Sequence, residues 1–354
     1  MTKRQITCLA CIAVVMVSGL GAAAPSAGAT RHAVHPGESI QKAVDAAKPG
    51  DSIVIYPGTY RESVLVTKDR LTLRGFGART VLMPAPAAAR AANACATAGN
   101  GICVTGTATN TIDRISIRSL KLTGFKKNGL WATWTDRLSV NRVTAEKNGT
   151  WGLAQERSTR GIFRNNTARA NGDAGIFIAN TVDREGGAVD TLGAQVVNNR
   201  MSENRIGVTL RRVRNLMVRG NSMTANCGGV FVVGDESKPA AGAMTIRGNR
   251  IYKNNKFCPG NTRLPVIQGS GIILTGSEAT VVRGNRVRDN VGTSVLSGGI
   301  VLFQSFVGAV NTNNVIRDND VRGNSTADLA NRGTGTGNQF IGNVCTSSEP
   351  AGMC

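Results

Sequence analysis

The feature that most constrains this chain is a short cassette, Arg247-Gly248-Asn249-Arg250-Ile251-Tyr252-Lys253-Asn254, which returns with variation along the sequence. Arg164-Asn165-Asn166 leads to Asn171, Val197-Asn198-Asn199 to Asn204, and Arg219-Gly220-Asn221 to Asn226. Arg283-Gly284-Asn285 leads to Asn290, and Arg317-Asp318-Asn319 to Asn324. In all six units the two asparagines stand five residues apart. A cassette that recurs every few tens of residues is the signature of stacked repeats, each burying its apolar face against the next.

The residues around the cassette define the coil. A Gly-led strand comes first, as in Gly175-Ile176-Phe177-Ile178, Gly207-Val208-Thr209-Leu210 and Gly229-Val230-Phe231-Val232. A second strand ends at the first asparagine. A third carries an apolar residue two places on: Ala168, Met201, Met223, Ile251, Val287 and Val321. Three short strands per coil with period-2 alternation predict an all-β chain, a parallel β-helix whose coils lie about 4.8 Å apart. Asparagine tolerates the left-handed backbone of a tight turn and offers an amide to chain and neighbour alike. Asn166, Asn199, Asn221, Asn249, Asn285 and Asn319 are therefore expected to form a ladder. Their spacings are 33, 22, 28, 36 and 34 residues. The extra length falls after the Gly-led strand (180–192, 234–243) or before it (256–269, 291–298), so the inserts should project as loops on one side.

Ahead of the coils, Lys3 and Arg4, an apolar run from Ile6 to Leu20 and the small residues Ala27-Gly28-Ala29 read as a secretory signal over residues 1–29. The mature chain, 30–354, is expected as one domain, exported and monomeric: an entry and cap at 30–50, coils over 51–345 and a tail at 346–354. No later stretch approaches the roughly 20 apolar residues of a spanning helix. The full chain carries 42 Lys and Arg against 22 Asp and Glu, and losing Lys3 and Arg4 leaves a charge near +18. So basic an exported protein suits polyanions such as acidic polysaccharides; no motif points to nucleic acid. The spacings of its six cysteines suggest the disulfides Cys95–Cys103, Cys227–Cys258 and Cys345–Cys354. Within the entry, Ser39 can cap a short helix bearing Ile40, Ala43, Val44 and Ala47, ended by Pro49-Gly50, to cover the open end of the stack. Residues 84–100 read as a surface loop with room for a short helix.

The entry motif His35-Pro36-Gly37-Glu38-Ser39-Ile40-Gln41-Lys42-Ala43-Val44, followed by Pro49-Gly50-Asp51-Ser52-Ile53 and Tyr56-Pro57-Gly58-Thr59-Tyr60, resembles the N-terminal signature of right-handed parallel β-helix proteins of the pectin-lyase-like superfamily. The resemblance spans roughly 34–345. It implies the fold and leaves the reaction open among lyases, hydrolases, epimerases and chains without assigned activity. The sharper motifs of that superfamily do not carry over. There is no Asp-Asp doublet or Gly-His-Gly of the hydrolases, and the only histidines, His32 and His35, precede the coils. Met201 and Met223 fall at inward positions and the cysteines look paired, which argues against a copper site.

Three sets of candidate residues remain. Arg164, Arg219, Arg247, Arg283 and Arg317, two places before the first asparagine, should point outward. There Arg219, Arg247 and Arg283 either dock a polyanion or form a solvated face. The outward row of the Gly-led strand, Trp131, Ala154, Phe177, Thr209, Phe231, Ile273 and Val301, is mostly apolar. Inserted loops either cover it, or Trp131, Phe177 and Phe231 line a sugar-binding groove, the sheet on which the resemblance places substrate clefts. Beyond that strand stand Glu156, Asp183, Arg211, Arg212 and Asp235. Arg211 or Arg212 as base, with Glu156 and Asp235 as partners and carboxylates holding Ca²⁺, would suit β-elimination of a uronate. The expected function is binding, with cleavage by elimination as its enzymatic form, of an extracellular acidic polysaccharide. The alternative is a non-catalytic cell-surface or adhesion module.

Overall fold

The computed structural model describes residues 28–86, 93–261 and 264–354. The expected leader falls outside the described residues except for Gly28 and Ala29. Among the described residues the chain winds into three parallel sheets, each strand pairing with the same strand of the next coil. Sheet 1 runs from Arg31–Val34 to Gln339–Ile341, sheet 2 from Gly58–Arg61 to Asp320–Arg322, and sheet 3 from Val64–Val66 to Ser348–Glu349. One coil shows the order: Leu153–Glu156 in sheet 3, Ile162–Arg164 in sheet 1, Thr167–Arg169 in sheet 2. This is the parallel β-helix that the period-2 alternation called for.

Alternation divides each strand into inward and outward residues. In sheet 1 Val140, Phe163, Val196, Val218, Ile246, Val282 and Ile316 stack inward and are fully buried. In sheet 2 Ala168, Met201, Met223, Ile251, Val287 and Val321 do the same. Each buried Val, Ile or Met contributes about 1.5–3 kcal/mol, so the single continuous core grows coil by coil.

The asparagines form two ladders. At the turn from sheet 1 to sheet 2, Oδ1 of Asn221 accepts from the backbone N–H and the side-chain amide of Asn199, both at 2.9 Å. Its own amide donates to the carbonyl of Val196 at 2.9 Å and to Oδ1 of Asn249 at 3.0 Å. The same pattern runs from Asn166 to Asn343. A second ladder, from Asn148 through Asn171, Asn204, Asn226, Asn254 and Asn290 to Asn324, lies at the turn from sheet 2 to sheet 3. The left-handed backbone belongs to the residue before each ladder asparagine, not to the asparagine itself: Asn165, Asn198, Gly220, Gly248, Gly284 and Asp318 have φ between 54° and 65°. The ladder residue is chosen for its amide, and its predecessor for the turn.

The ends are closed as expected, with two additions. The helix Ile40–Ala46 is capped by Ser39, buries Ile40 and Val44, and receives Glu62 at its N-terminus, where Oε1 accepts from the Ile40 N–H at 2.7 Å. The entry segment also supplies a strand, Arg31–Val34, that extends sheet 1. At the other end the tail is not loose, since Ser348–Glu349 pairs with Leu329–Ala330 in sheet 3. All three disulfides join the expected cysteines, and a short helix, Ala94–Thr97, carries Cys95.

Candidate functional site

The outward row of sheet 3 is in register: Trp131, Ala154, Phe177, Thr209, Phe231, Ile273 and Val301 pair in turn. Side chains of the preceding turns and of the inserted loops cover most of it. At one end Trp151 lies 5.6 Å from Trp131 and 4.0 Å from Phe177, the last two rings within 5° of parallel. At the other, Phe231, Ile273 and Val301 are buried with Cys227, Cys258, Ile267 and Leu296, from the loops that precede the strands. The rings therefore spend their faces on one another or on loop side chains. Phe177 and Phe231 are 3% and 2% exposed, so they do not form the open aromatic platform that was one of the two sequence readings.

A gap survives between the two apolar clusters. It is a cleft of about 180 Å³ over Thr209, edged by Phe177, Phe231, Ile206, Leu264, Leu296 and Phe306, with Asp173, Arg211 and Arg212 in its wall. That is below the roughly 300 Å³ at the lower end of drug-sized sites, so its scale is a single ring or substituent. Thr209 and Arg211 are alternate residues of the strand Ile206–Arg211, so both point outward. Oγ1 of Thr209 and Nη1 of Arg211 are buried without a hydrogen-bond partner in the protein.

The structure separates the expected catalytic set. Arg212 and Asp235 are ion-paired and almost fully buried. Arg212 also donates to Oγ1 of Thr181 and to the carbonyl of Arg184, and Asp235 accepts from the N–H groups of Gly186 and Ser237. This pair fastens the 180–192 insert to the 234–243 insert, and both charges are consumed in doing so. Glu156 lies two coils from Arg211, with Ala179 between them, a separation of about 10 Å. Burial pushes its carboxyl up, Arg157 at 3.6 Å opposes this, and Asp183 adds to it. Among the described residues no three His, Cys, Asp or Glu side chains gather as a metal cage would require. Glu156, Asp183 and Asp235 accordingly do not form one such group.

Two cleft contributors escaped sequence reading. Asp173 stands between Asn171 and Gly175 and accepts at Oδ2 from Nε1 of Trp151 at 3.0 Å. Arg205 reaches the carbonyls of Pro259 at 2.7 Å and Pro265 at 3.2 Å, which holds the 256–269 insert over the cleft. Both directly follow or flank the second ladder, and that position was the available signal. Arg219, Arg247 and Arg283 do not join the cleft. They stack outward on sheet 1, as expected, at the turn toward sheet 2.

Solved structures with the same architecture are similar at low identity. The A-module of a mannuronan C-5 epimerase from Azotobacter vinelandii superposes with a TM-score of 0.59 at 18% identity, covering 88% of this chain and 90% of that one. An alginate lyase from Paenibacillus sp. str. FPU-7 gives 0.59 at 16%, covering 90% and 99%. The DFA-IIIase of Arthrobacter chlorophenolicus A6 gives 0.53 at 16%, covering 85% and 79%. These likenesses concern the fold. No curated protein matches the sequence. The family model described as "Right handed beta helix region" matches residues 89–188 and 194–352, and with most of the chain so matched, the protein belongs to that right-handed β-helix family.

Proposed function

We propose that this protein, acting outside the cell, binds an acidic saccharide by seating a uronate unit in the cleft over Thr209. One observation carries the reading: Nη1 of Arg211 and Oγ1 of Thr209 are buried side by side on one strand face without protein partners. Leaving a buried polar group unpaired costs about 1–3 kcal/mol, more when it is charged. A carboxylate relieves both, accepting from the guanidinium and from the hydroxyl, in a charge-assisted geometry that suits arginine. The edges of Phe177 and Phe231 and the side chains of Leu264 and Phe306 offer apolar contact to the carbons of a sugar ring. Mannuronan and alginate, named for two of the fold neighbours, are uronate polymers, which supports the ligand class.

A second reading, cleavage by β-elimination, has its own support in Asp173, the carboxylate lining the same cleft. There Asp173 would take the proton from the carbon bearing the uronate carboxylate while Arg211 neutralises the charge that builds on it. The electron pair closes a C=C bond as the glycosidic C–O bond breaks, and the departing oxygen takes a proton from water. The non-catalytic adhesion module is the same binding without this step.

Calorimetric titration with di- to tetrasaccharides of galacturonate, mannuronate and guluronate tests the site. Saturable binding that weakens at least ~10-fold in Arg211→Met, with Arg157→Met unaffected, is the expected result. Failure of all three sugars to bind, or equal binding by Arg211→Met, removes the proposal. Following absorbance at 235 nm, with and without Ca²⁺, separates the two forms: product from the wild type and none from Asp173→Asn supports elimination, and binding without product supports the module.

A further inference from the structure

The arginine column is a second surface, on a different corner of the solenoid from the cleft. Arg219, Arg247, Arg283 and Arg317 occupy the last outward position of successive sheet 1 strands in unbroken register. Across the two-residue turn, Arg250 and Arg286 hold the first outward position of sheet 2, also in register. Among the described residues Arg219, Arg247, Arg250 and Arg283 have no carboxylate within 4.0 Å; the acidic partners on this corner, Asp318 and Asp320, serve Arg317 and Arg286 at its C-terminal end. Unit charges about 4.8 Å apart repel by about 0.9 kcal/mol in water before screening. Nothing in the fold asks for that repulsion. The stacked turn needs the asparagine and the residue before it, and the arginine side chains point away from both.

The other laddered turn is the control within the molecule. The matching column, two places before the second asparagine, reads Glu146, Arg169, Ser202, Thr224, Tyr252, Arg288 and Arg322, and each of its arginines has a carboxylate partner, Glu146 for Arg169 and Asp320 for Arg288 and Arg322. A run of arginines without carboxylate partners is therefore a property of the first corner and not of stacked turns as such.

We propose that this corner is a docking ridge for a linear acidic polysaccharide lying along the solenoid axis. The ridge is narrow and straight, with charges repeating at the coil spacing, which matches a single chain carrying one carboxylate or sulfate per sugar. A single-stranded nucleic acid of the same charge would want interleaved aromatic platforms, and among the described residues the sheet 1 and sheet 2 strands that carry these arginines include a single ring, Tyr252. The ridge stands independently of the cleft: a short oligosaccharide needs only the cleft, and a long polymer gains the ridge.

The test uses the mature protein and a fluorescent oligogalacturonate of about twenty units, titrated at 50 and 200 mM salt. Arg219→Glu/Arg247→Glu/Arg283→Glu is expected to bind at least ~10-fold more weakly at the lower salt and to show a shallower salt dependence, since fewer counterions are released. The neutral triple Arg219→Gln/Arg247→Gln/Arg283→Gln should fall between it and the wild type, which guards against a folding artefact. Lys126→Glu/Lys127→Glu/Lys147→Glu, exposed residues of the other laddered turn, carries the same charge change and should lose less than ~2-fold. Arg211→Met should keep the ridge-dependent affinity for the long polymer while losing that for a disaccharide, so the two sites fail separately. Equal losses in both reversed triples, or tighter binding of an equally charged single-stranded oligonucleotide, would overturn the ridge.

Discussion

The turn between sheets 1 and 2 and the turns that flank sheet 3 treat chain length in opposite ways. In the first, the cassette keeps two residues between strands in every coil from Asn166 to Asn319, whatever the coil's total length. Around sheet 3 the extra residues are admitted, at 180–192, 234–243, 256–269, 291–298 and 304–312. The ladder explains the contrast. Each amide in the first turn is bonded to the coils before and after it, so an added residue would break the contacts of three coils at once. At the entry to sheet 3 the inserts begin beyond Asn254 and Asn290, and at its exit they begin beyond the Gly-led strand, in both cases outside the two ladders. Constant turns and variable loops are thereby assigned to different corners, and the cleft arises where the loops meet.

The largest expected effect comes from cutting the ladder. Asn221→Leu removes an acceptor from two N–H groups of Asn199 and a donor from Val196 and Asn249, all buried. With orphaned buried groups at about 1–3 kcal/mol each and partial relaxation, the loss should be about 4 kcal/mol in urea unfolding. A loss below ~1 kcal/mol would mean that the ladder is decoration. Next in size is an insertion. Gly-Ser added between Gly248 and Asn249 should destabilise by about 3 kcal/mol. The same pair between Ser237 and Lys238 should cost less than about 1 kcal/mol, because lengthening a loop adds only slowly to its closure entropy. Equal losses at the two places would dissolve the contrast between the corners.

Much of this was legible in the sequence, and the rest was not for a physical reason. The Asn249–Asn254 spacing, the inward Met201 and Met223, the three cysteine pairs and the Ser39 cap are all local or periodic, and each was read correctly. The alternative of an outward row covered by loops was legible too, because Phe177 and Phe231 are too apolar for solvent. What could not be read is how unequal inserts meet. Arg212 and Asp235 lie at different offsets from their leading glycines, so nothing in the sequence announced that they neutralise each other. Asp173 entered the cleft wall through a turn without any of the long inserts, and of the two neighbouring arginines it is Arg212 that holds Asp235, while Nη1 of Arg211 has no protein partner.

A third expectation concerns the end of the second ladder. Oδ1 of Asp328 takes the place of the next asparagine, accepting from the N–H and the side-chain amide of Asn324 at 3.0 and 2.9 Å. Oδ2 accepts from the N–H and hydroxyl of Thr346 at 3.0 and 2.7 Å. Burial raises this carboxyl, but the four donors outweigh it and hold it below the usual carboxylate range. The sign follows: stability from a lowered carboxylate is complete above the unfolded value of about 3.9 and is lost as pH falls through the folded one. Asp328→Asn should therefore cost about 2 kcal/mol at pH 7, where charge-assisted bonds are lost, and the gap to the wild type should close as the pH falls below ~4. A gap unchanged between pH 7 and pH 3 would show that the ladder ends on geometry rather than charge.

The smallest effect sharpens the comparison most, because it sets the same chemical group in two corners. Gln155 is as buried as Asn221, at 0% exposure, and points into the core from sheet 3. Yet neither its Oε1 nor its Nε2 finds a protein partner, and no neighbouring coil repeats it: the register places Ala132 before it and Ile178 after it. An amide without a ladder is only a desolvated amide. Gln155→Met keeps the length of the side chain and removes both polar atoms, so it should raise stability by about 1 kcal/mol, read as a higher urea midpoint at unchanged m-value. The backbone of Gly161 presses on this side chain, leaving no room for a Cβ there, which is why methionine rather than a branched residue is the fair replacement. A loss of more than ~1 kcal/mol would mean that the amide is satisfied in solution, and that the rule separating a shared amide from a solitary one does not hold inside this core.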